Sequence, residues 1–178
     1  MERPSKIAKV NHASVAGTYE AMEENGIYLT VEEMVEGTTL GKLLDQQTKL
    51  PSKQAVRIAL QVAQGLKALH SVKIVHGLLS TQTIMMSRKG RAVIIDATSS
   101  PFILDSEEAY NRTDVVMPEY AAPETIKDMT RATVRSDLFS LGAVLYRMIS
   151  GRGPFKGDTP FEILLNNLQG KTTMLGEI

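Results

Sequence analysis

The sequence predicts an α+β fold, and three observations carry that prediction. Alternating apolar residues near the N-terminus flank a strong hairpin turn. The hydrophobic period then becomes helical from about residue 40. The elements run hairpin, long helix, second hairpin, irregular stretch, apolar helix and last helix, which is neither a doubly wound α/β pattern nor a simple bundle.

Residues 2–9 read as the last turns of a helix that Pro4 restricts to starting there. Residues 15–23 read as a strand, Asn25-Gly26 as a hairpin turn, and residues 27–34 as the returning strand, ended by Glu36-Gly37. Leu40, Leu43 and Leu44 make a short apolar helical face. Pro51-Ser52 opens a long helix with Ser52 as its N-cap. Its buried stripe is Ala55, Ala59, Val62, Leu66 and Leu69, and it ends near Val72.

Residues 74–83 read as a loop leading to a small hairpin, 84–86 and 92–95, turned by Lys89-Gly90. From Thr98 to Ala122 no period is visible, and long irregular stretches of this kind are functional or mobile. Over 136–149, Leu138, Phe139, Leu141, Val144, Leu145, Met148 and Ile149 cover most of a helix, which predicts a central buried element stopped at Gly151. Thr159-Pro160-Phe161-Glu162 predicts a capping box that starts a last helix reaching about Leu168.

Composition excludes several function classes. There is no cysteine, so disulfide frameworks, thiol catalysis and zinc–thiolate sites are excluded, in keeping with a reducing, cytoplasmic setting. His12, His70 and His76 show no metal-ligand spacing. The formal net charge is zero, and Arg88, Lys89 and Arg91 surround Gly90 as a solvated turn. With no Trp and few aromatics there is no stacking platform for nucleic acid. No apolar run reaches the roughly 18 residues of a membrane span, and the first residues lack the apolar core of a signal peptide.

Three segments carry a family resemblance. Residues 135–146, RSDLFSLGAVLY, are followed by Ser150-Gly151-Arg152-Gly153-Pro154-Phe155; Tyr120-Ala121-Ala122-Pro123-Glu124 precedes them, and Met34-Val35-Glu36-Gly37-Thr38-Thr39-Leu40 lies further upstream. In that order they resemble the central F helix, the A-P-E motif and the interlobe hinge of Hanks-type Ser/Thr protein kinases, especially bacterial ones. The resemblance runs over about residues 6–168. It implies a protein-kinase-like fold, mainly the helical C-lobe with a remnant N-lobe β-hairpin. Residues 1–36 would be that remnant (end of the C helix, two strands, hinge), and residues 37–178 a C-lobe expected to be incomplete at its C-terminal end.

The same resemblance assigns positions. The catalytic loop H-R-D-L-K-P-x-N falls at His76–Thr83, where only the His and the second Leu remain. Leu78 stands where the family has its catalytic carboxylate, Ser80 at the loop lysine and Thr83 at the metal-binding asparagine. Asp96, followed by Ala97-Thr98, matches the start of the magnesium motif, as a weak metal ligand or a carboxylate accepting backbone hydrogen bonds at a strand end. His76 is a packing residue, Asp137 ties the loop to the F helix, Gly142 belongs to that helix's motif, and Glu124 would have its usual arginine partner outside the chain. Glu32 falls at the gatekeeper position behind the adenine, where a charge is costly. Val116-Met117 replaces the Gly-Thr before A-P-E, and the Ser and Thr residues of 98–113 read as a polar exposed loop ahead of a phosphosite reading. A glycine-rich loop, a strand lysine and its glutamate partner are expected to be missing.

Phosphoryl transfer in kinases is mostly positioning and charge compensation. A leucine has no lone pair with which to orient a hydroxyl nucleophile. The expected function is therefore a catalytically inactive, pseudokinase-type module for protein interaction, scaffolding or regulation. Its partner would be another protein or a missing part of a longer chain, with no nucleic acid, no membrane insertion and no cofactor. The alternative is a Ser/Thr kinase fragment that uses ATP and Mg with atypical residues or once completed by missing segments. A fragment without independent function is a third reading, and exposed apolar surface would then favour association.

Overall fold

The computed structural model describes residues 7–24, 27–97 and 117–177, with the backbone alone at residues 21, 23, 24 and 27–29. Residues 2–6 of the expected N-terminal helix, the Asn25-Gly26 turn, Val116 and the polar stretch 98–113 lie outside the described residues. Strands β1 (Thr18–Glu24) and β2 (Ile27–Glu32) pair antiparallel, with Glu24 opposite Ile27 and a register shift between Thr18 and Glu20. The first strand starts later than predicted because Val15 is used elsewhere. It is buried as a bridge to Ile94, with Ala16 N–H donating to the Ile94 carbonyl at 2.8 Å and Ile94 N–H to Ser14 at 2.9 Å.

Gly37 opens an element where the sequence suggested only a stop. Strand β3 (Gly37–Thr39) pairs with β4 (Ile84–Ser87), which pairs with β5 (Ala92–Ile94) in the order β3-β4-β5. A Cβ on Gly37 would strike the Met86 carbonyl, so only glycine permits this approach. The β4–β5 turn contains Gly90 at φ +74°.

Helix α1 (Leu40–Gln47) follows β3 directly. The Thr39 hydroxyl caps it by accepting from Lys42 N–H at 3.2 Å, and Leu40 and Leu44 are buried. Helix α2 (Ser52–Ser71) has the predicted stripe, widened by Ile58 and Gly65. Ser52 is not its cap. Pro51 holds that position with no side-chain bond, and Ser52 is the first helical residue.

Short helix α3 (Pro123–Lys127) and a 3-10 turn (Met129–Arg131) lead into α4 (Val134–Ser150), and α5 (Pro160–Leu168) follows. Thr133 and Ser136 form a reciprocal capping box at the start of α4, and Gly151 ends the helix at φ +80°. At α5 the Thr159 hydroxyl accepts from Glu162 N–H, but the Glu162 carboxylate takes Asp158 N–H, one residue before the cap.

Helix α4 packs against α2 in the core. It is not buried all round as its apolar count predicted. Leu138 is 53% exposed, Leu141, Leu145 and Ile149 are partly buried, and the buried face is Ser136, Asp137, Ser140, Ala143, Val144 and Met148. Its first two turns turn a polar face inward because the neighbouring loop satisfies it. Among the described residues no helix is long and apolar enough to cross a membrane.

Candidate functional site

Asp137 lies in the first turns of α4, fully buried. Its carboxylate accepts from His76 N–H at 2.9 Å and Gly77 N–H at 2.8 Å. His70 Nε2, from the last turn of α2, lies 2.7 Å from the same carboxylate. One side chain thereby ties together the end of α2, the start of α4 and the loop after Ile74. Gly77 is at φ +78°, which lets consecutive amides converge on one acceptor.

His76 is buried and spans the loop. Leu78 N–H donates to its Nδ1 at 3.3 Å, and its Nε2 meets the Ile95 carbonyl at 3.1 Å. The two contacts together fit the tautomer protonated at Nε2. Both ring nitrogens are thus engaged in structure.

The rest of the loop folds on itself. Ser80 N–H donates to the Thr83 hydroxyl at 2.9 Å, and that hydroxyl donates toward the Leu78 and Ser80 carbonyls, each at 3.3 Å. The Ser80 hydroxyl accepts from Gln82 N–H at 3.2 Å. Thr81 is buried with its hydroxyl 3.3 Å from the Tyr120 hydroxyl. Burial, and then the neighbouring Glu119, push the Tyr120 phenol well above its ordinary value of 10.0, so it stays protonated.

Leu78 is half-buried and lines a recess with Met117, Tyr120, Thr125, Met129 and Ser140. Its side chain brings no polar atom to that recess. Asp96 follows β5 at φ +59°, exposed, and its carboxylate accepts no hydrogen bond from the described residues. The strand-end acceptor role expected for it is therefore not met among them. No three His, Asp or Glu side chains gather around one metal position among the described residues.

Glu124 is half-buried and accepts from the Ser136 hydroxyl at 2.7 Å, so the carboxylate has a partner inside the chain. At Gly142 a Cβ would meet nothing among the described residues, so its motif position makes no close contact there. Glu32 is half-buried opposite Thr18.

Sequence reasoning brought out His76, Ser80, Thr83 and Asp137, which the fold gathers, and missed three groups that position them. His70 was set aside for lacking metal spacing; its signal was a polar residue next to the Leu69 stripe. Ser136 links α3 to α4. Asn167, buried on α5, donates at 2.8 Å to both the Pro118 and Ala121 carbonyls and so fixes the turn that carries Tyr120. A polar residue at an inward position of an apolar helix was its signal.

A buried helix aspartate gripping consecutive loop amides, with an exposed aspartate just after a strand, is the arrangement of a protein-kinase-like C-lobe, here in an α+β fold. The model of the protein kinase domain family matches residues 4–176, and this chain belongs to that family. It is 30% identical over 165 residues to a probable serine/threonine-protein kinase of Clostridium perfringens, and 28% over 165 residues to the serine/threonine-protein kinase PrkC of Bacillus subtilis. Both alignments cover 93% of this chain, but 24% and 25% of those proteins. A probable serine/threonine-protein kinase of Saccharomyces cerevisiae, HSL1, is 29% identical over 175 residues, 98% of this chain and 12% of that protein. The chain thus spans about a quarter of the length of its bacterial relatives.

Proposed function

We propose that this chain is a catalytically inactive protein-kinase-like domain, acting as a protein-interaction, scaffolding or regulatory module. The observation that carries this reading is Leu78. In the loop that Asp137 holds down, the position for orienting a hydroxyl nucleophile has an aliphatic side chain, which can neither accept a proton nor align a hydroxyl.

Two neighbours support it. Ser80 cannot place a positive charge on a transferring phosphate, and the Thr83 hydroxyl is engaged inside the loop. Magnesium in phosphoryl transfer is held by carboxylates together with substrate phosphates in near-octahedral geometry. Among the described residues, Asp96 with an engaged threonine is a poor donor set for it. Partners of such a module would be another protein or a further part of a longer chain, in the cytoplasm.

The test is transfer of radiolabelled phosphate from magnesium-ATP to the chain itself and to a general protein substrate. The expected result is no transfer above a heat-inactivated blank. Robust autophosphorylation that disappears in Asp96→Asn overturns the reading.

The exposed Asp96 carboxylate favours one competing view, a kinase domain that binds magnesium-ATP with atypical residues or when completed by other segments. It requires millimolar magnesium-ATP to raise the melting temperature, since a ligand that binds the native state stabilises it. The expected shift is none.

A further inference from the structure

We infer that the chain self-associates, with the outward face of α2 taking strand β1 of a second copy. None of the residues involved belongs to the 76–83 loop, so this inference and the absence of catalysis fail separately.

Helix α2 has 20 residues and contains no Asp or Glu. Its inward stripe is used up in the core. On the other side Lys53, Val56, Arg57, Leu60 and Lys67 recur at spacings of three, four and seven, which places them on one face. All five are exposed, Val56 by 54% and Leu60 by 58%. Two branched apolar side chains one turn apart, set among three cations, make a stripe about 21 Å long at 1.5 Å per residue.

The complement lies on the same chain. Between Val10 and Gly41 there is no Lys or Arg, and there are six glutamates, Glu20, Glu23, Glu24, Glu32, Glu33 and Glu36. Glu33 and Glu36 meet Arg91 and Arg88 of their own chain. Three of the others stand on β1, which carries no cation. Tyr19 is 72% exposed there, and Glu20 and Met22 are exposed beside it.

Strand β1 pairs only with β2 among the described residues, so one edge has no described neighbour. Tyr19, Met22 and Glu20 make its exposed surface mixed, apolar and acidic, which complements the mixed apolar and basic stripe of α2. Seven extended residues span about 23 Å, which matches the helix stripe. Because the whole chain is neutral, no net repulsion opposes two copies meeting. A helix face docking on a strand is a heterologous contact, so it propagates head to tail and gives a concentration-dependent series of sizes.

The experiment is sedimentation velocity with light scattering over a concentration series at low and high salt. The expected result is an average mass that rises with concentration and falls at high salt. Lys53→Glu combined with Arg57→Glu should weaken association roughly tenfold or more, and Glu20→Lys should weaken it too. These are exposed positions, and circular dichroism checks that both variants fold. Mixing the two variants should restore association, because the unreversed stripe of the Glu20→Lys chain then meets the unreversed β1 of the other, and the reversed stripe faces a reversed strand. A monomer at every concentration, association unchanged by either reversal, or a mixture that stays monomeric overturns the proposal. Loss with the α2 reversal but not with Glu20→Lys also overturns it, since β1 is then not the surface that docks.

Discussion

Two side chains hold the loop, and each makes a quantitative claim. Asp137 accepts two buried backbone N–H groups and meets His70. Truncation to alanine leaves those donors without an acceptor, at about 1–3 kcal/mol each. Asp137→Ala should therefore lower the unfolding free energy by about 3 kcal/mol or more, read from urea denaturation. Tyr120 gives a pH dependence. Its folded-state pKa is raised, so its contribution is fully present below the unfolded value of 10.0 and is lost as pH climbs beyond it. Stability should fall from about pH 10 upward, and the slope should be shallower in Tyr120→Phe. Equal alkaline slopes for the two proteins would show that the phenol is not held neutral by its surroundings.

At the scale of an element, the end of α1 holds a strained piece of backbone. Thr48 sits at φ +60°, ψ −56°, with Lys49 N–H donating to the Gln47 carbonyl at 2.6 Å. A β-branched residue is disfavoured in that region. The surroundings hold it there: Arg147 donates to the Thr48 carbonyl at 2.9 Å, and Leu50 N–H donates to Met148 at 2.7 Å. Strain of this kind costs about 1–3 kcal/mol, and glycine gives back about 0.5–1 kcal/mol in unfolded-state entropy. Thr48→Gly should raise stability by about 1 kcal/mol, seen as a higher urea midpoint with an unchanged slope. A lower midpoint would mean that the threonine contacts outweigh its strain. Helix α4 shows why a correct element can be given the wrong environment. Its apolar count is high, but Ser136 and Asp137 face inward because Glu124 and the loop supply partners that hydropathy does not register, and the Ser140 hydroxyl donates to the Ser136 carbonyl of the same helix.

At the scale of the whole molecule, the segment leading into the first hairpin joins the helical unit at one close approach. A Cβ on Gly65 of α2 would lie 2.6 Å from the Ser14 carbonyl and 2.9 Å from Ile94 Cδ1. Helix propensity alone would favour alanine there by about 1 kcal/mol. Overpacking against backbone opposes it at about 1–3 kcal/mol. Gly65→Ala should be net destabilising and should speed amide exchange at Ala16, whose N–H bonds Ile94. Unchanged exchange at Ala16 would mean that the segment yields without loosening.

The sequence by itself determined the order and type of the longer elements, because apolar period, proline, glycine and turn residues act within a few positions of one another. It also determined that Leu78 brings no polar side-chain atom to the recess it lines, since a side chain carries its functional groups wherever it is placed. Only the tertiary structure decided which polar groups meet. His70 and Gly77 lie 67 and 60 positions from Asp137 and share its carboxylate; Asn167 reaches the Tyr120 turn from α5. Gly37 became a strand because β4 lies beside it, and Ser52 lost the cap to Pro51 through backbone geometry. The Ser52 cap aside, each of these depends on contacts between distant parts of the chain. Local pattern cannot encode them, because the free energy of a buried polar group is set by the partner that folding brings to it.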